Sequence, residues 1–488
     1  MKADKSTIDV HASSTHFENW EAIDWHLVVK KVKALQHRIV KATKLRQYRK
    51  VKSLQYILSQ SFFAKLLAIR KVTSNKGKNT PGVDGSTWKS DKQKWMAAQN
   101  MTTKNYKARP LKRVFIPKSN GKKRPLAIPT MKDRAIQALY LQALDPLVEV
   151  LSDNNSYGFR KHRACADAIE QNFTILARKI SPKWILEADI KACFDNISQQ
   201  WLLDNIIIHK KILKQWLNAE IVFKGKTSKS RRGTPQGGII SPTLANAVLN
   251  GLEKHIQSIC QIKFDKQNYV QYNPLKVHFV RYADDFVITA KHKQTLTDII
   301  IPAIKEFLSH RGLSLSKHKT KITHINEGFD FLGFNIRKYQ QKLLIKPAKK
   351  NIKLFRNKVL NIIRNSKAIS QEELINRLNP ILKGWANYFK NSCAKLIFTK
   401  LDHDIWKALW NWAKRRHSRK PRQWIKDKYF KPINNRQWIF NVDQNTQIFR
   451  LETVCIKRHI KVRNGMNPYD KNHWTYFDKR KNSNRVRK

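Results

Sequence analysis

The stretch "VHFVRYADDFVITA", residues 277–290, sets two adjacent carboxylates, Asp284 and Asp285, between two apolar, β-branched runs. Val277, Phe279 and Val280 before the pair and Phe286, Val287 and Ile288 after it read as two strands, so the acidic pair falls at a hairpin tip. Aspartate is a common turn residue, and a solvated turn is the bland account of such a pair. Two anions held side by side also repel, and that repulsion is useful where divalent cations must be gripped. Choosing between these accounts requires a third carboxylate and a substrate.

The substrate class follows from charge. The 488-residue chain carries 97 Lys plus Arg against 35 Asp plus Glu, a formal net charge of +62 that repels itself unless a polyanion lies nearby. With 41% hydrophobic residues, 22 Phe and 14 Trp, it has the core-forming material that disordered basic chains lack, and it reads as a folded nucleic-acid binder. No run approaches the roughly 18 apolar residues of a membrane span, and "MKADKSTIDVHASSTHFENW" has no signal-peptide pattern. A soluble, intracellular protein with no membrane partner is expected. Cys165, Cys193, Cys260, Cys393 and Cys455 are scattered singly, without a C-x-x-C pair, and are expected to be reduced packing residues.

The third carboxylate lies in "WILEADIKACFDNIS", residues 184–198, where Trp184, Ile185, Leu186 and Ala188 read as a buried strand ending near Asp189. Beside the hairpin in one sheet, Asp189 and Asp284 could share two metals, the arrangement that nucleotidyl transfer needs. Magnesium, with manganese as a substitute, suits carboxylate and phosphate oxygens. Asp195, six positions on, reads as a turn cap rather than a ligand. "RVFIPKSNGKKRPLAIP" is a pair of strands around Asn120-Gly121, with Lys118, Lys122, Lys123 and Arg124 near the tip. In "GTPQGGIISPTLANAVLN" the glycines permit close backbone approach, and Ser241-Pro242 is a helix start. Residues 20–72 carry basic helical periodicity, residues 110–340 alternate strands with helices, and residues 347–416 return to helix. There Ile352, Phe355, Val359 and Ile362 form an apolar stripe, with Lys349, Lys350, Lys353 and Arg356 largely elsewhere.

"IPKSNGKKRPLAIP", "SYGFRKHRACADAI", "DIKACFD", "RRGTPQGGIISPTLAN", "YADD" and "FDFLGF" resemble the successive blocks of a reverse transcriptase of the group II intron type. "LNPILKGWANYF" resembles the maturase or X domain that forms the thumb, and "NWAKRRHSRKPRQWIKDKYF" the region after it. The resemblance implies an α/β (α+β) right-hand polymerase with fingers, a palm built on an antiparallel catalytic sheet, and a helical thumb. Its expected parts are an N-terminal helical extension (1–80), fingers and palm (81–340), an X-domain thumb (341–410) and a basic, DNA-binding-like segment (411–488).

It further implies catalysis and metal binding by Asp189, Asp284 and Asp285, and phosphate contact by Lys118 and Arg124. Phe194 would be a steric gate against a ribose 2′-hydroxyl, Gln236 would lie beside the incoming nucleotide, and Lys319 would donate a proton to pyrophosphate or contact the nucleotide. His318 departs from the pattern, standing where relatives often carry Glu. Nucleic-acid contact is expected from Lys349, Lys350, Lys353 and Arg356, and from Lys414, Arg415, Arg416, Arg419, Lys420 and Arg422. The implied partners are a group II intron RNA, an RNA template with a DNA primer, deoxynucleoside triphosphates and a DNA target site. The implied place is the bacterial cytoplasm at the nucleoid, or an organelle. Many bacterial relatives continue into an H-N-H endonuclease; this chain stops at "WTYFDKRKNSNRVRK", so DNA cleavage in cis is not expected. A splicing maturase with dispensable polymerase activity and a domesticated enzyme of host DNA repair or spacer acquisition stay open as alternatives.

Overall fold

In the computed structural model, which describes residues 17–117, 121, 123–228, 232–265, 270–433 and 436–486, the basic N-terminal stretch folds as helices α1 (Trp25–Lys44), α2 (Tyr48–Gln60) and α3 (Phe62–Ser74). The Asp24 carboxylate starts α1 by accepting from the amides of His26 and Leu27, donors that a helix start leaves free. Val28, Val32 and Ile39 recur at helical spacing and are buried, while Lys30, Lys31, Arg38 and Lys41 stay exposed. These helices pack around α5 (Met131–Leu151), which is buried along most of its length, and α4 (Asp91–Gln99) packs on α3.

The palm sheet has the order β10-β3-β9-β8, every pair antiparallel: β3 is Trp184–Asp189, β8 His278–Tyr282, β9 Asp285–Ala290 and β10 Lys321–His324. Alternation of side chains divides it between two cores. Leu186, Ala188, Phe279, Phe286 and Ile288 join a core shared with the N-terminal helices, α10 (Ser241–Leu249) and α12 (Ile301–Ser309). Ile185, Val280 and Val287 enter a second core with α6 (Cys165–Leu176) and the sheet of β11 (Phe329–Phe331), β12 (Phe334–Tyr339) and β13 (Lys342–Pro347). That core continues into the thumb helices α13 (Lys349–Asn365), α14 (Gln371–Phe389) and α15 (Lys395–Arg416). The fingers sheet runs β2-β1-β4-β5, with β1 at Leu111–Pro117, β2 at Lys123–Ile128, β4 at Ile221–Phe223 and β5 at Lys226–Ser228. The β1–β2 register pairs Ile116 with Arg124 and Pro117 with Lys123; Lys118 and Asn120, at the expected tip, lie outside the described residues.

The boundary expected between residues 410 and 411 falls inside α15. Trp412 is buried, and its indole Nε1 donates to the Ser366 carbonyl at 2.5 Å, so the last turn of the helix belongs to the thumb core. Beyond α16 (Arg422–Tyr429) and the hairpin of β14 (Phe430–Ile433) and β15 (Arg436–Phe440), the tail returns to the palm. His459, Arg480 and the Val462 amide converge on one oxygen of Asp167, at 3.0, 2.9 and 2.9 Å. Tyr469 donates to Asp145 at 2.7 Å, and Lys44 of α1 to Asp470 at 2.6 Å. The end of the segment expected to be DNA-binding is therefore anchored internally. All five cysteines are free, and no described helix is long and apolar enough to cross a membrane.

Burial alone would raise the pKa of Asp167, but the His459 hydrogen bond and the Arg480 charge prevail and hold its carboxyl below the ordinary value. Removing a buried partner of this kind costs roughly 3–5 kcal/mol. A depressed folded-state pKa contributes stability above the unfolded value of about 3.9 and loses it as pH falls through the folded value. Asp167→Ala should therefore lower the denaturant midpoint clearly at pH 7, and its difference from wild type should close on the acid side of pH 4.

Candidate active site

The antiparallel pairing of β3 with β9 sets Asp189 directly opposite Asp285, on the same face of the sheet. The turn joining β8 to β9 is Ala283-Asp284, with Tyr282 paired to Asp285. Asp284 is thus at the tip, whereas Asp285 already belongs to the strand. Ala283 takes the left-handed φ of 59° that this tight reversal requires.

The Lys319 ammonium donates to Asp189 Oδ2 at 2.8 Å, and the segment carrying it is pinned to the strand end by the Ser316 amide on the Asp189 carbonyl. That hydrogen bond raises the Lys319 pKa. Asp284 is shifted upward by burial and by the charge of Asp189, against the opposing fields of Lys319 and Arg124. Asp285 keeps solvent exposure, yet desolvation, its hydrogen bond with Asp189 and the neighbouring carboxylates push it up to about 7. Ionised carboxyls this close repel, which is why a proton is held more tightly here than on a free carboxyl.

This donor set fits a divalent cation that substrate oxygens complete. Among the described residues no three acidic, His or Cys side chains are grouped to hold an ion alone. Magnesium characteristically takes one or two carboxylates plus phosphate and water.

Beside the carboxylates, Phe194 of α7 (Cys193–Asn196) is half-buried, its ring edge-on to Phe159 at 6.4 Å. The 233–238 loop lies on its backbone: the Thr234 amide donates to the Phe194 carbonyl at 2.7 Å, and a Cβ on Gly233 would stand 2.4 Å from that oxygen. Gln236 joins palm to fingers, its Nε2 reaching Asp195 at 3.3 Å and its carbonyl accepting from the Ala127 amide of β2 at 2.7 Å. Asp195 lies within α7 and takes this contact. Arg124, exposed on β2, is near enough for its charge to act on Asp284.

Sequence reasoning missed the support behind the turn. Arg281 is fully buried, and its guanidinium donates to the Ala283 carbonyl at 3.2 Å and to the side-chain oxygens of Asn246 and Asn250 at 3.2 and 3.1 Å. Gly158 presses on the same turn, where a Cβ would lie 2.3 Å from the Ala283 nitrogen. An arginine inside an apolar strand run was the available signal for the first, since a buried guanidinium must be partnered. Nothing local marked the second.

The basic residues separate. Lys349, Lys350 and Lys353 are exposed on α13, and Arg356 pairs with Asp404 at 2.7 Å. Arg356, Arg364, Lys407, Lys414 and Arg415 border one cleft of about 680 Å³ between α13 and α15. Arg416 turns away, donating to the carbonyls of Lys367 and Ile369 and lying over Trp412. Arg419, Lys420 and Arg422 are exposed on the approach to α16, Lys420 over the Trp424 ring at 5.5 Å.

Residues 116–336 match the family described as reverse transcriptase (RNA-dependent DNA polymerase), residues 20–101 the N-terminal domain of reverse transcriptase, and residues 352–430 the group II intron maturase-specific domain. Protein YkfC of Escherichia coli strain K12 is 31% identical over 301 residues, which cover 55% of this chain and 79% of that protein. Group II intron-encoded protein LtrA of Lactococcus lactis subsp. cremoris is 30% identical over 341 residues, 58% of this chain and 56% of LtrA, so the match spans about half of that relative. Maturase-like protein 1 of Euglena longa is 24% identical over 89% of this chain and 96% of its own length.

A carboxyl raised to about 7 must lose its proton before it can share a cation. Mn²⁺ binding, followed by electron paramagnetic resonance, should therefore strengthen from pH 6 to pH 8. In Asp285→Asn that slope should flatten, and an unchanged slope would assign the proton elsewhere.

Proposed function

The chain belongs to the reverse transcriptases and carries a group II intron maturase-specific domain, and from that premise we propose that it copies RNA into DNA from a primer 3′-hydroxyl and assists the splicing and mobility of a group II intron. The observation that carries the catalytic part is the β3–β9 register with Asp284 at the adjoining turn. Asp189 and Asp284, with Asp285 beside them, would hold the divalent cations of this metal-dependent nucleotidyltransferase, for which magnesium is our assignment. When bound, the ions neutralise the triphosphate and acidify the primer hydroxyl.

The remaining steps belong to the protein. Arg281 and Gly158 hold the Asp284 turn in place, so that its carboxylate meets substrate without reorganising. The Phe194 ring, braced by Phe159 and by the loop on its backbone, crowds the sugar and disfavours a 2′-hydroxyl. Gln236, tied to both palm and fingers, positions the nucleotide between them. Arg124 and Lys118 receive the triphosphate. Lys319 is paired with Asp189 before substrate arrives; released by the incoming charge, its ammonium is placed to give a proton to pyrophosphate.

The cleft between α13 and α15 supports a thumb role for Lys414 and Arg415, on the template–primer duplex or on intron RNA, because they share it with Arg356, Arg364 and Lys407. Arg419, Lys420 and Arg422, exposed beyond the helix, remain our assignment for DNA at an insertion site.

Asp284→Ala and Asp189→Ala should each abolish primer extension on an RNA template while RNA affinity stays near wild type, because the phosphate-binding cations are untouched. Extension at near wild-type rate would remove these residues from the site. If splicing of the flanking RNA survives both substitutions, polymerisation and maturase action are separable. Phe194→Val should raise ribonucleotide incorporation relative to deoxynucleotide by tenfold or more, on the order of a lost steric clash. An unchanged ratio in single-nucleotide incorporation would leave Phe194 a packing residue.

A further inference from the structure

His403, Trp406 and Trp410 project from one side of α15, at the three- and four-residue spacings that a helix aligns. Their rings are parallel, His403 to Trp406 at 8° and Trp406 to Trp410 at 2°, with centroids 6.3 Å apart in each pair. Trp438 of β15 stands edge-on to Trp406 and Trp410 at 6.0 and 5.5 Å, yet it is 44% exposed, unlike the buried Trp412 further along the same helix. His403, Trp406, Trp438 and Phe449 border a cavity of about 560 Å³. A second hollow of about 660 Å³ shares Arg436, Phe449 and Arg450 with it and continues to Lys383 and Gln447.

None of these groups serves the catalytic sheet. The Asp402 carboxylate is engaged by the amides of Leu451 and Glu452 at 2.9 and 2.8 Å, which fixes one wall. Glu452 accepts from both Arg436 and Arg450, and with Asp402 on the same wall two carboxylates balance these two guanidiniums, so the positive excess beside the hollows comes from lysines. Lys426 lies over Trp438 at 5.4 Å and Lys383 over Phe449 at 5.7 Å, adding cations beside the rings.

We propose that the aromatic cavity receives an unpaired base of RNA by stacking, with the flanking phosphates on Arg436, Arg450 and Lys383 in the adjoining hollow. Aromatic faces next to a cationic groove bind single strands, because every base offers a π-face and every linkage a phosphate. A duplex cannot use the cavity, since its bases are already stacked and paired. The choice of RNA over DNA rests on the maturase reading, because the α15 wall lies within the matched maturase-specific region, residues 352–430.

The test uses the full chain and three probes: a single-stranded RNA dodecamer carrying 5-iodouridine, the same RNA in a blunt duplex, and a DNA dodecamer of the same sequence. Binding is measured at raised salt, which suppresses contacts to phosphate alone. Irradiation should cross-link the single-stranded RNA to the peptide containing Trp438. Trp438→Ala should weaken single-stranded RNA binding by about tenfold or more, Trp438→Phe should retain most of it, and duplex binding should not change. Primer extension by Trp438→Ala should equal wild type, so failure of the stacking site is distinguishable from failure of the polymerase reading. The proposal is overturned by the absence of a cross-link to the Trp438 peptide in the wild-type protein, by unchanged single-strand affinity in Trp438→Ala, or by an equal loss for the duplex. Tighter binding and cross-linking of the DNA dodecamer would overturn the assignment to RNA.

Discussion

The pairing of β3 with β9 puts two carboxylates of the same sign face to face, and much of the surrounding structure answers that repulsion. A sheet would ordinarily exclude such a pair. Here the register cannot slip by one residue without sending Ile185 and Val287 into the wrong core and Leu186 and Ile288 into the other. The apolar side chains thus hold the acidic ones together. Lys319 lies against Asp189 from the front, while Arg281 and Gly158 fix the Asp284 turn from behind. What results is a cluster in which, on the function proposed above, cation binding would have to displace a proton.

The large positive charge is managed by using the scarce acids internally. Glu149 pairs with Arg160 and Arg163, Asp167 gathers His459 and Arg480, and Asp470 holds Lys44. Asp167 and Asp470 join segments hundreds of residues apart while Glu149 holds a nearby loop, and each carboxylate is itself shielded from solvent, where an ion pair resists salt better than it would at the surface. Much of the remaining excess stays on the surface, as at Lys349, Lys350, Lys353, Arg419 and Arg422. A chain of this kind folds around its anions and presents its cations to nucleic acid.

Palm and thumb share one continuous core, which links catalysis to the grip on the nucleic acid. The Tyr388 hydroxyl of α14 donates to the Leu332 carbonyl in the turn of "FDFLGF" at 2.9 Å, and the Phe334 ring stacks on Tyr388 and meets Phe389 edge-on. These contacts tie the thumb to the β11–β12 turn beside the palm sheet. The cationic cleft of α13 and α15 and the aromatic cavity of α15 and β15 lie on this same module. They divide the surface by chemistry, one suited to phosphate and one to a base.

The sequence by itself determined the elements and the chemistry they carry. Alternating apolar residues around Asp284 and Asp285, the strand before Asp189, the Ser241-Pro242 helix start and the amphipathic N-terminal helices are all encoded within a few residues, because period and turn chemistry are local properties. Tertiary structure alone decided what meets what. It put Asp285 rather than Asp284 opposite Asp189, turned Asp195 toward Gln236, carried α15 through residues 410 and 411, and brought the tail back to Asp167. It also buried Arg281 behind the turn and gathered His403, Trp406 and Trp438 into one cavity. The physical reason is the same in each case: a hydrophobic pattern states which face of an element must be covered, but its partner lies tens to hundreds of residues away and is selected by packing, partnering of buried charge and backbone space, none of which a local window contains.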